Sequence, residues 1–189
     1  MSHFTLHTME TAPTESKPLF ENSIKAFGMV PNLHAVMAES PEHLQGYQVL
    51  HDLFQKTSLS VTERNLVWLT INVEHGCHYC VPAHSAIALS QGVESDIVDT
   101  LRAGKPLADT RLEALRTFTL QMVRKRGDVS DAELDAFFAA GFTRRHALDV
   151  VLGLAQKVMS NYVNHIAKTP VDPPFAKFAW EPAAEVAAE

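Results

Sequence analysis

Apolar side chains recur every three or four positions along most of this chain, which is the period of an amphipathic α-helix. One clear stripe begins after Pro41 and predicts a helix that ends near Thr57. That stripe consists of Leu44, Tyr47, Leu50, His51 and Phe54. No segment shows the strict alternation of a β-strand. The pattern therefore predicts an all-α fold of about eight or nine helices.

Capping residues, glycines and prolines mark where these helices begin and end. Ser60 and Glu63 have the spacing of a capping box, and Ser130 and Glu133 repeat it. Glycine and proline then stop the periodic segments. The predicted helices cover residues 17–29, 32–38, 41–57, 60–75, 77–92, 94–101, 110–126, 130–141 and 143–169.

The periodic segments form one domain with a polar arm before it and a tail after it. We expect an extended or mobile arm over residues 1–15, a helical domain over 16–175 and a C-terminal tail over 176–189. The last long helix carries apolar residues at helical spacing. These are Ala147, Val150, Val151, Leu154, Val158, Tyr162 and Ile166. Trp68 lies in an apolar helix, and we interpret it as a core residue.

Composition and charge narrow the class of partner. The chain has 189 residues, of which 46% are hydrophobic and 20% charged, as is ordinary for a globular domain. A net charge of -6 argues against nucleic acid or an anionic membrane as a partner. No apolar run is long enough to span a bilayer, and the N-terminal segment lacks a secretory signal. We therefore expect a cytoplasmic protein.

The candidate chemistry is concentrated in one short segment. Cys77 and Cys80 are the only cysteines, and His84 follows four residues after the second. A helix that begins near Gly76 or Cys77 would place Cys80 and His84 on the same face. Its first turn would also favour a thiolate, because the unpaired N–H groups and the helix dipole stabilise negative charge. In a reducing compartment such a pair indicates a redox-active dithiol.

Two other interpretations of the cysteines stay open at this point. They could be small buried residues without chemistry, since free cysteine is among the most buried residue types. They could also be half of a zinc site completed by His75, His78 or His84, but the chain has no second cysteine pair to supply a fourth ligand. We expect neither a metal nor another cofactor.

Several short segments together resemble a known family. They are Cys77-His78-Tyr79-Cys80 with His84, the segments 28–32 and 58–66, and the segments 140–143 and 161–164. This pattern resembles the alkylhydroperoxidase D-like, carboxymuconolactone decarboxylase family, and specifically its peroxidase-related branch. The resemblance extends over roughly residues 17 to 175. It implies an all-helical homo-oligomer, commonly a trimer or hexamer.

The resemblance also implies an activity and a set of roles. The branch with a cysteine pair reduces hydroperoxides in antioxidant defence, using an external thiol as reductant (peroxiredoxin activity). By position, Cys80 resembles the sulfur that attacks peroxide and Cys77 the resolving partner, so the pair alternates between dithiol and disulfide. His84 resembles a member of the proton relay, and Tyr79 occupies the relay position between the cysteines.

One position departs from the family pattern. The best-studied members have a glutamate twelve residues before the first cysteine, and this chain has Asn65 there. A side-chain amide cannot act as a base, whereas a carboxylate can. His51 could supply a base, although a histidine at a helix interface is the commoner role. Two alternative functions therefore stay open: a thiol–disulfide oxidoreductase without peroxidase turnover, and a cofactor-free decarboxylase or isomerase with incidental cysteines.

Overall fold

The predicted all-α fold is confirmed by a computed structural model that describes residues 3–182. This part of the chain forms nine α-helices and no strand. The helices are α1 (Lys17–Phe27), α2 (Asn32–Met37), α3 (Pro41–Gln55), α4 (Val61–Glu74), α5 (Cys80–Ser90), α6 (Ser95–Arg102), α7 (Thr110–Arg124), α8 (Asp131–Ala139) and α9 (Arg144–Ala167). Short 3-10 helices at Thr14–Ser16 and Pro173–Phe178 precede and follow them.

The local signals in the sequence form the contacts expected of them. Ser60 Oγ accepts from the backbone N–H of Glu63, whose carboxylate accepts from the backbone of Ser60 in return. The same reciprocal pair joins Ser130 and Glu133 at the start of α8. Gly28 ends α1 with a left-handed φ of 73°. Both predicted capping boxes are therefore confirmed.

Helix α4 is the centre of the fold, in contact with α5, α6, α7 and α9. Its middle is apolar on every side, and Leu66, Val67, Trp68 and Leu69 are fully buried. Trp68 is thus a core residue, as its position predicted. A second apolar cluster joins the N-terminal helices to the segment that holds both cysteines. The site therefore lies at a boundary between the two clusters.

The longest helix, α9, does not bury its apolar stripe throughout. Val150 is fully buried, but Tyr162 and Ile166 are 57% and 63% exposed. The buried face of the second half of α9 is polar instead. Its buried residues from position 153 onwards are Gly153, Gln156, Lys157, Ser160, Asn161, Asn164 and Ala167. The apolar spacing alone predicts that the face with Tyr162 and Ile166 is buried, and this prediction is wrong for the second half of α9.

The two ends of the described chain lie against the helices. The backbone N–H of His7 donates to the carbonyl of Ala35 at 3.2 Å. Trp180 Nε1 donates to the carbonyl of Arg102 at 2.9 Å. Residues 1–2 of the predicted arm and 183–189 of the predicted tail lie outside the described residues, and the division at residues 15 and 175 stays a prediction. None of the helices between residues 3 and 182 is both long and apolar enough to cross a membrane.

Two glycines inside helices give a matched test of packing between α3 and α9. A Cβ added at Gly153 would lie 2.6 Å from Cε2 of Phe54, whereas one at Gly46 would meet only Met159 Cε at 3.6 Å. We expect Gly153→Ala to lower the free energy of unfolding by about 1–2 kcal/mol through overpacking. Gly46→Ala should raise it by up to about 1 kcal/mol, because alanine favours the helix. Denaturant unfolding of both variants measures this, and shifts in the same direction would contradict the packing argument.

Candidate active site

A tight turn between α4 and α5 places the two cysteines. Gly76, at φ 61°, ends α4 in a left-handed conformation that favours glycine. The backbone N–H of Cys77 donates to Asn72 at 3.0 Å, and Val81 donates to the carbonyl of Cys77 at 3.1 Å. Helix α5 begins at Cys80 rather than at Gly76 or Cys77 as predicted, because the chain must first reverse direction at the glycine.

The cysteines are brought together as free thiols. The backbone N–H of Cys80, the first residue of α5, donates to Cys77 Sγ at 3.2 Å. The polar S–H of Cys77 also favours negative charge on the sulfur of Cys80. Both residues are buried and neither forms a disulfide in this structure. The arrangement is a reduced pair held within one turn of backbone.

The surroundings favour a thiolate on Cys80. Burial opposes ionisation, but the hydrogen bond from Cys77, the charge of Lys157 and the amides of Asn164 and Asn161 together lower the pKa of Cys80 to about 7. Asn164 Nδ2 donates directly to Cys80 Sγ at 3.1 Å. The hydrogen bond to Cys80 and burial raise the pKa of Cys77. Cys80 is thus the more acidic sulfur of the pair.

Lys157 is a fully buried residue of α9. It contacts α5 at His84. Its Nζ donates to Nε2 of His84 at 2.7 Å and lies 5.6 Å from the centre of the Trp68 ring. Burial lowers the pKa of Lys157 to about 8, although the nearby thiols of Cys80 and Cys77 act in the opposite direction. A buried amine with a pKa near neutrality can exchange a proton during a reaction.

His84 lies where the helical spacing predicted, but its hydrogen bond goes to Lys157 rather than to Cys80. Burial, the charge of Lys157 and the neighbouring His51 lower its pKa well below the ordinary value. His84 is therefore a neutral imidazole that accepts through Nε2. Its Nδ1 is buried and has no hydrogen-bond partner.

A chain of amides continues from Cys80 across α4 and α9. Asn72 Nδ2 donates to the carbonyl of Cys80 at 3.4 Å, and Asn161 Nδ2 donates to Asn72 Oδ1 at 2.9 Å. His75 Nδ1 donates to Asn161 Oδ1 at 2.8 Å. Each amide is oriented by its neighbour, so the donors that face Cys80 are held in place before any reaction.

Tyr79, between the cysteines, faces the C-terminal segment. Its hydroxyl donates to Oδ2 of Asp172 at 2.5 Å and accepts from the backbone N–H of Leu33 at 3.3 Å. Oδ1 of Asp172 accepts from the backbone N–H of Asn32 at 3.0 Å. Burial and the carboxylate of Asp172 raise the pKa of Tyr79. Tyr79 is therefore a neutral phenol whose hydrogen bonds connect the cysteine segment to Leu33 and to Asp172.

Asn65 is not brought to the cysteines. Its Nδ2 donates to the carbonyl of Val61 and to Oε1 of Gln91, at 2.9 and 2.8 Å. It lies two turns, about 10 Å, before Asn72 on α4. His51 stacks on Trp68 with ring centres 5.3 Å apart, and Nδ1 of His51 accepts from Gln156 at 3.1 Å. Because burial lowers the pKa of His51 to about 4, it stays neutral at an interface between helices.

The segment 169–180, here called the strap, covers the start of α5. The carbonyl of Thr169 accepts from His78 Nε2 at 2.9 Å, and Phe175 packs against the cluster that contains both cysteines. Arg102 donates to the carbonyls of Phe178 and Ala179, each at 3.2 Å. Cys80 is only 2% exposed beneath this cover. A substrate reaches its sulfur only if the strap or a neighbouring element moves.

The contribution of α9 is the part of the site that the sequence does not predict. Lys157 carries no predicted role, and Asn161 and Asn164 enter only through the segment 161–164 of the family resemblance. The three residues nevertheless lie three and four positions apart and so share one helical face. A row of polar residues within an otherwise apolar helix is a usable signal, because such a row needs either solvent or a polar partner. Among residues 3–182, no three His, Cys, Asp or Glu side chains are grouped closely enough to hold a metal ion.

Residues 43–119 match the family model of the carboxymuconolactone decarboxylase family. This region contains both cysteines and His84, while Lys157 lies outside it. The family resemblance of the sequence is therefore confirmed. No curated protein matches the chain in sequence.

Solved structures with the same fold extend over nearly the whole chain. An alkylhydroperoxidase AhpD core, from a peroxidase-related protein of Ralstonia eutropha JMP134, is 22% identical with a TM-score of 0.82 over 92% of this chain and 94% of that one. A peroxidase-related protein from Silicibacter sp. TM1040 is 22% identical, with a TM-score of 0.78 over 92% and 93%. A cysteine-to-alanine variant of the debrominase Bmp8, in complex with 2,3,4-tribromopyrrole, is 15% identical, with a TM-score of 0.75 over 93% and 96%. These likenesses show the alkylhydroperoxidase D-like fold.

The strap gives a testable access step. In Asp172→Ala the hydrogen bonds to Tyr79 and Asn32 are lost, and charge-assisted bonds of this kind contribute about 1.5–3 kcal/mol each. We expect native Cys80 to react with iodoacetamide at least about tenfold faster, since each 1.4 kcal/mol changes an opening equilibrium about tenfold. Mass spectrometry at about pH 9, above the pKa of Cys80 near 7, measures access without a change in ionisation. Exposed Asp128→Ala is the control, and equal rates in both variants would show that the strap does not limit access.

Proposed function

We propose that this protein reduces hydroperoxides by cycling Cys77 and Cys80 between two thiols and a disulfide. The observation that supports this most directly is the contact between the cysteines, in which the backbone N–H of Cys80 donates to Cys77 Sγ and the pKa of Cys80 is lowered to about 7. A thiol with a pKa near the working pH combines a large thiolate fraction with good nucleophilicity. The proposed activity is that of an oxidoreductase with peroxiredoxin activity.

The reaction proceeds in two chemical steps. The Cys80 thiolate attacks the terminal oxygen of the hydroperoxide, an S–O bond forms as the O–O bond breaks, and the alcohol leaves. The sulfur of Cys77 then attacks the sulfenic acid of Cys80, which releases water and forms the disulfide. An external thiol reductant returns both sulfurs to the reduced state by exchange. The substrate is a small hydroperoxide, and the working environment is a reducing one such as the cytoplasm.

The other predicted site residues take supporting roles in this proposal. His84 belongs to the proton relay through its hydrogen bond to Lys157. Tyr79 holds the strap over the dithiol through Asp172. Asn65 takes no part in the chemistry, because its amide contacts Gln91 and Val61 two turns away.

A second candidate is a thiol–disulfide oxidoreductase without peroxidase turnover. It is favoured by Asn65, which supplies an amide where the best-studied relatives have a carboxylate base. The two candidates share the dithiol but differ in the oxidant. Oxidation by a low-molecular-weight disulfide, together with no acceleration by hydroperoxide, would favour this second function.

The proposed cycle is tested by mapping the cysteines after one equivalent of a hydroperoxide. We expect the parent protein to form an internal Cys77–Cys80 disulfide within seconds, detected by alkylation and mass spectrometry. Cys77→Ser should stop at a sulfenic acid on Cys80 that dimedone traps, because no resolving thiol is present. Cys80→Ser should consume no peroxide. Consumption by Cys80→Ser at the parental rate would refute the assignment.

We also propose that the protein forms a homo-oligomer through the outer face of α9. Leu148, Val151, Tyr162 and Ile166 lie within about 60° of one another around that helix and are 44–70% exposed. Exposed apolar side chains that share a face are typical of subunit contacts.

Charge placed on this face should dissociate the assembly. We expect Leu148→Glu combined with Ile166→Glu to lower the mass measured by sedimentation velocity to that of the 20.9 kDa chain. Leu6→Glu, at an apolar residue of similar exposure on the N-terminal arm, is the control. A parent protein that already sediments as a monomer would overturn the proposal.

A further inference from the structure

A buried lysine, Lys157, contacts His84 one helical turn from Cys80 on α5, and no carboxylate balances its charge. Lys157 is fully buried, and no Asp or Glu of the described residues forms an ion pair with it. An ammonium group held in the interior without a counter-ion is strongly disfavoured. The groups nearby that can become negative are the thiols of Cys80 and Cys77. The charge of Lys157 and the charge of a thiolate therefore stabilise each other.

The remaining titratable groups around Lys157 stay neutral and cannot replace it. They are His34 on α2, His51 on α3 and His84 on α5, each within electrostatic reach of the lysine. Burial is the main cause that lowers the pKa of His34 to about 3 and of His51 to about 4. His84 accepts the N–H of Lys157, and its own pKa is lowered further. Lys157 is thus the one group facing the dithiol from these helices that carries positive charge near neutral pH.

The geometry points to Lys157, held in place by His84, as the group that takes the proton of Cys80 and returns it to the departing alkoxide. This inference rests on the proposed function and changes the part played by His84, which becomes a positioning residue. The imidazole fixes the amine through Nε2, and the face of Trp68 restricts it from another side. A base of this kind needs no carboxylate at position 65.

The proton that leaves Cys80 is carried by Lys157 and is the one that the departing alkoxide receives. The neutral amine of Lys157 takes the proton from the Cys80 thiol and becomes an ammonium beside the thiolate. When the thiolate attacks the terminal oxygen of ROOH, the O–O bond breaks and RO⁻ takes that proton from Lys157 to leave as ROH. Cys80 is oxidised to a sulfenic acid as the peroxide is reduced, and Lys157 is again a neutral amine. Cys77 then forms the disulfide, and its own proton leaves with the hydroxyl as water.

The test measures the pH dependence of Cys80 alkylation, which needs no peroxide. In the parent protein the rate with iodoacetamide should inflect near pH 7, where Cys80 ionises. Lys157→Met removes the opposite charge, so the pKa of Cys80 should rise by one unit or more, as is usual for loss of such a partner. The rate at pH 7 should fall at least about tenfold and converge with the parental rate at high pH. Exposed Lys25→Met is the control and should leave the profile unchanged.

A purely structural role for Lys157 would change the rate equally at every pH, and that result would overturn the proposal. Lys157→Gln gives a second variant if the methionine chain does not fold. A measurement on the unaltered protein is independent of both variants: nitrogen NMR of the lysine side chains in the dithiol and disulfide forms. We expect Lys157 to titrate at lower pH in the disulfide, because its thiolate partner is consumed. An unchanged titration would refute the pairing, whereas failure of the hydroperoxide function would show in the peroxide experiment on the parent and Cys80→Ser proteins.

Discussion

The packing of the polar face of α9 against the start of α5 is the interaction on which the site depends. It takes Lys157, Asn161 and Asn164 completely out of solvent, which is costly unless each finds a partner. The partners are His84, Asn72 and the sulfur of Cys80. Because these amides and this amine cannot hydrogen-bond to water, their bonds to protein groups keep them oriented toward the dithiol. The same contact therefore fixes how the two helices pack and sets the acidity of Cys80.

Stability alone would favour apolar side chains at the interface between α9 and α5. A buried polar cluster is often no more stable than apolar residues of the same volume, and removal of one partner leaves another unsatisfied. The unpartnered Nδ1 of His84 and Oδ1 of Asn164 show that some of that cost persists here. Proteins retain such clusters where function requires them, and the cost is offset by the apolar packing of α4 on its neighbours. The apolar core therefore stabilises the fold around the site, while the site itself adds no stability.

Fold and chemistry are separable in this architecture. Peroxidase-related proteins and a debrominase share it at 22% identity or less, so the arrangement of helices does not define the reaction. What distinguishes a reaction is the set of side chains around the α5 start and what covers it. In this chain those are a cysteine pair, a buried lysine with its histidine, and a strap fastened by Asp172. The proposed function follows from these groups rather than from the fold.

The sequence by itself determined the helices, their caps and the segment that carries the cysteines. These depend on short-range rules: the period of apolar residues, the reciprocal Ser60–Glu63 pair and the spacing of Cys77 and Cys80 all act within a few residues. The tertiary structure decided which face of α9 turned inwards and therefore that Lys157 meets His84, 73 positions earlier in the chain. It also decided that Asn65 faces Gln91 instead of the thiols. Such contacts depend on how distant helices pack, and no local spacing encodes that choice.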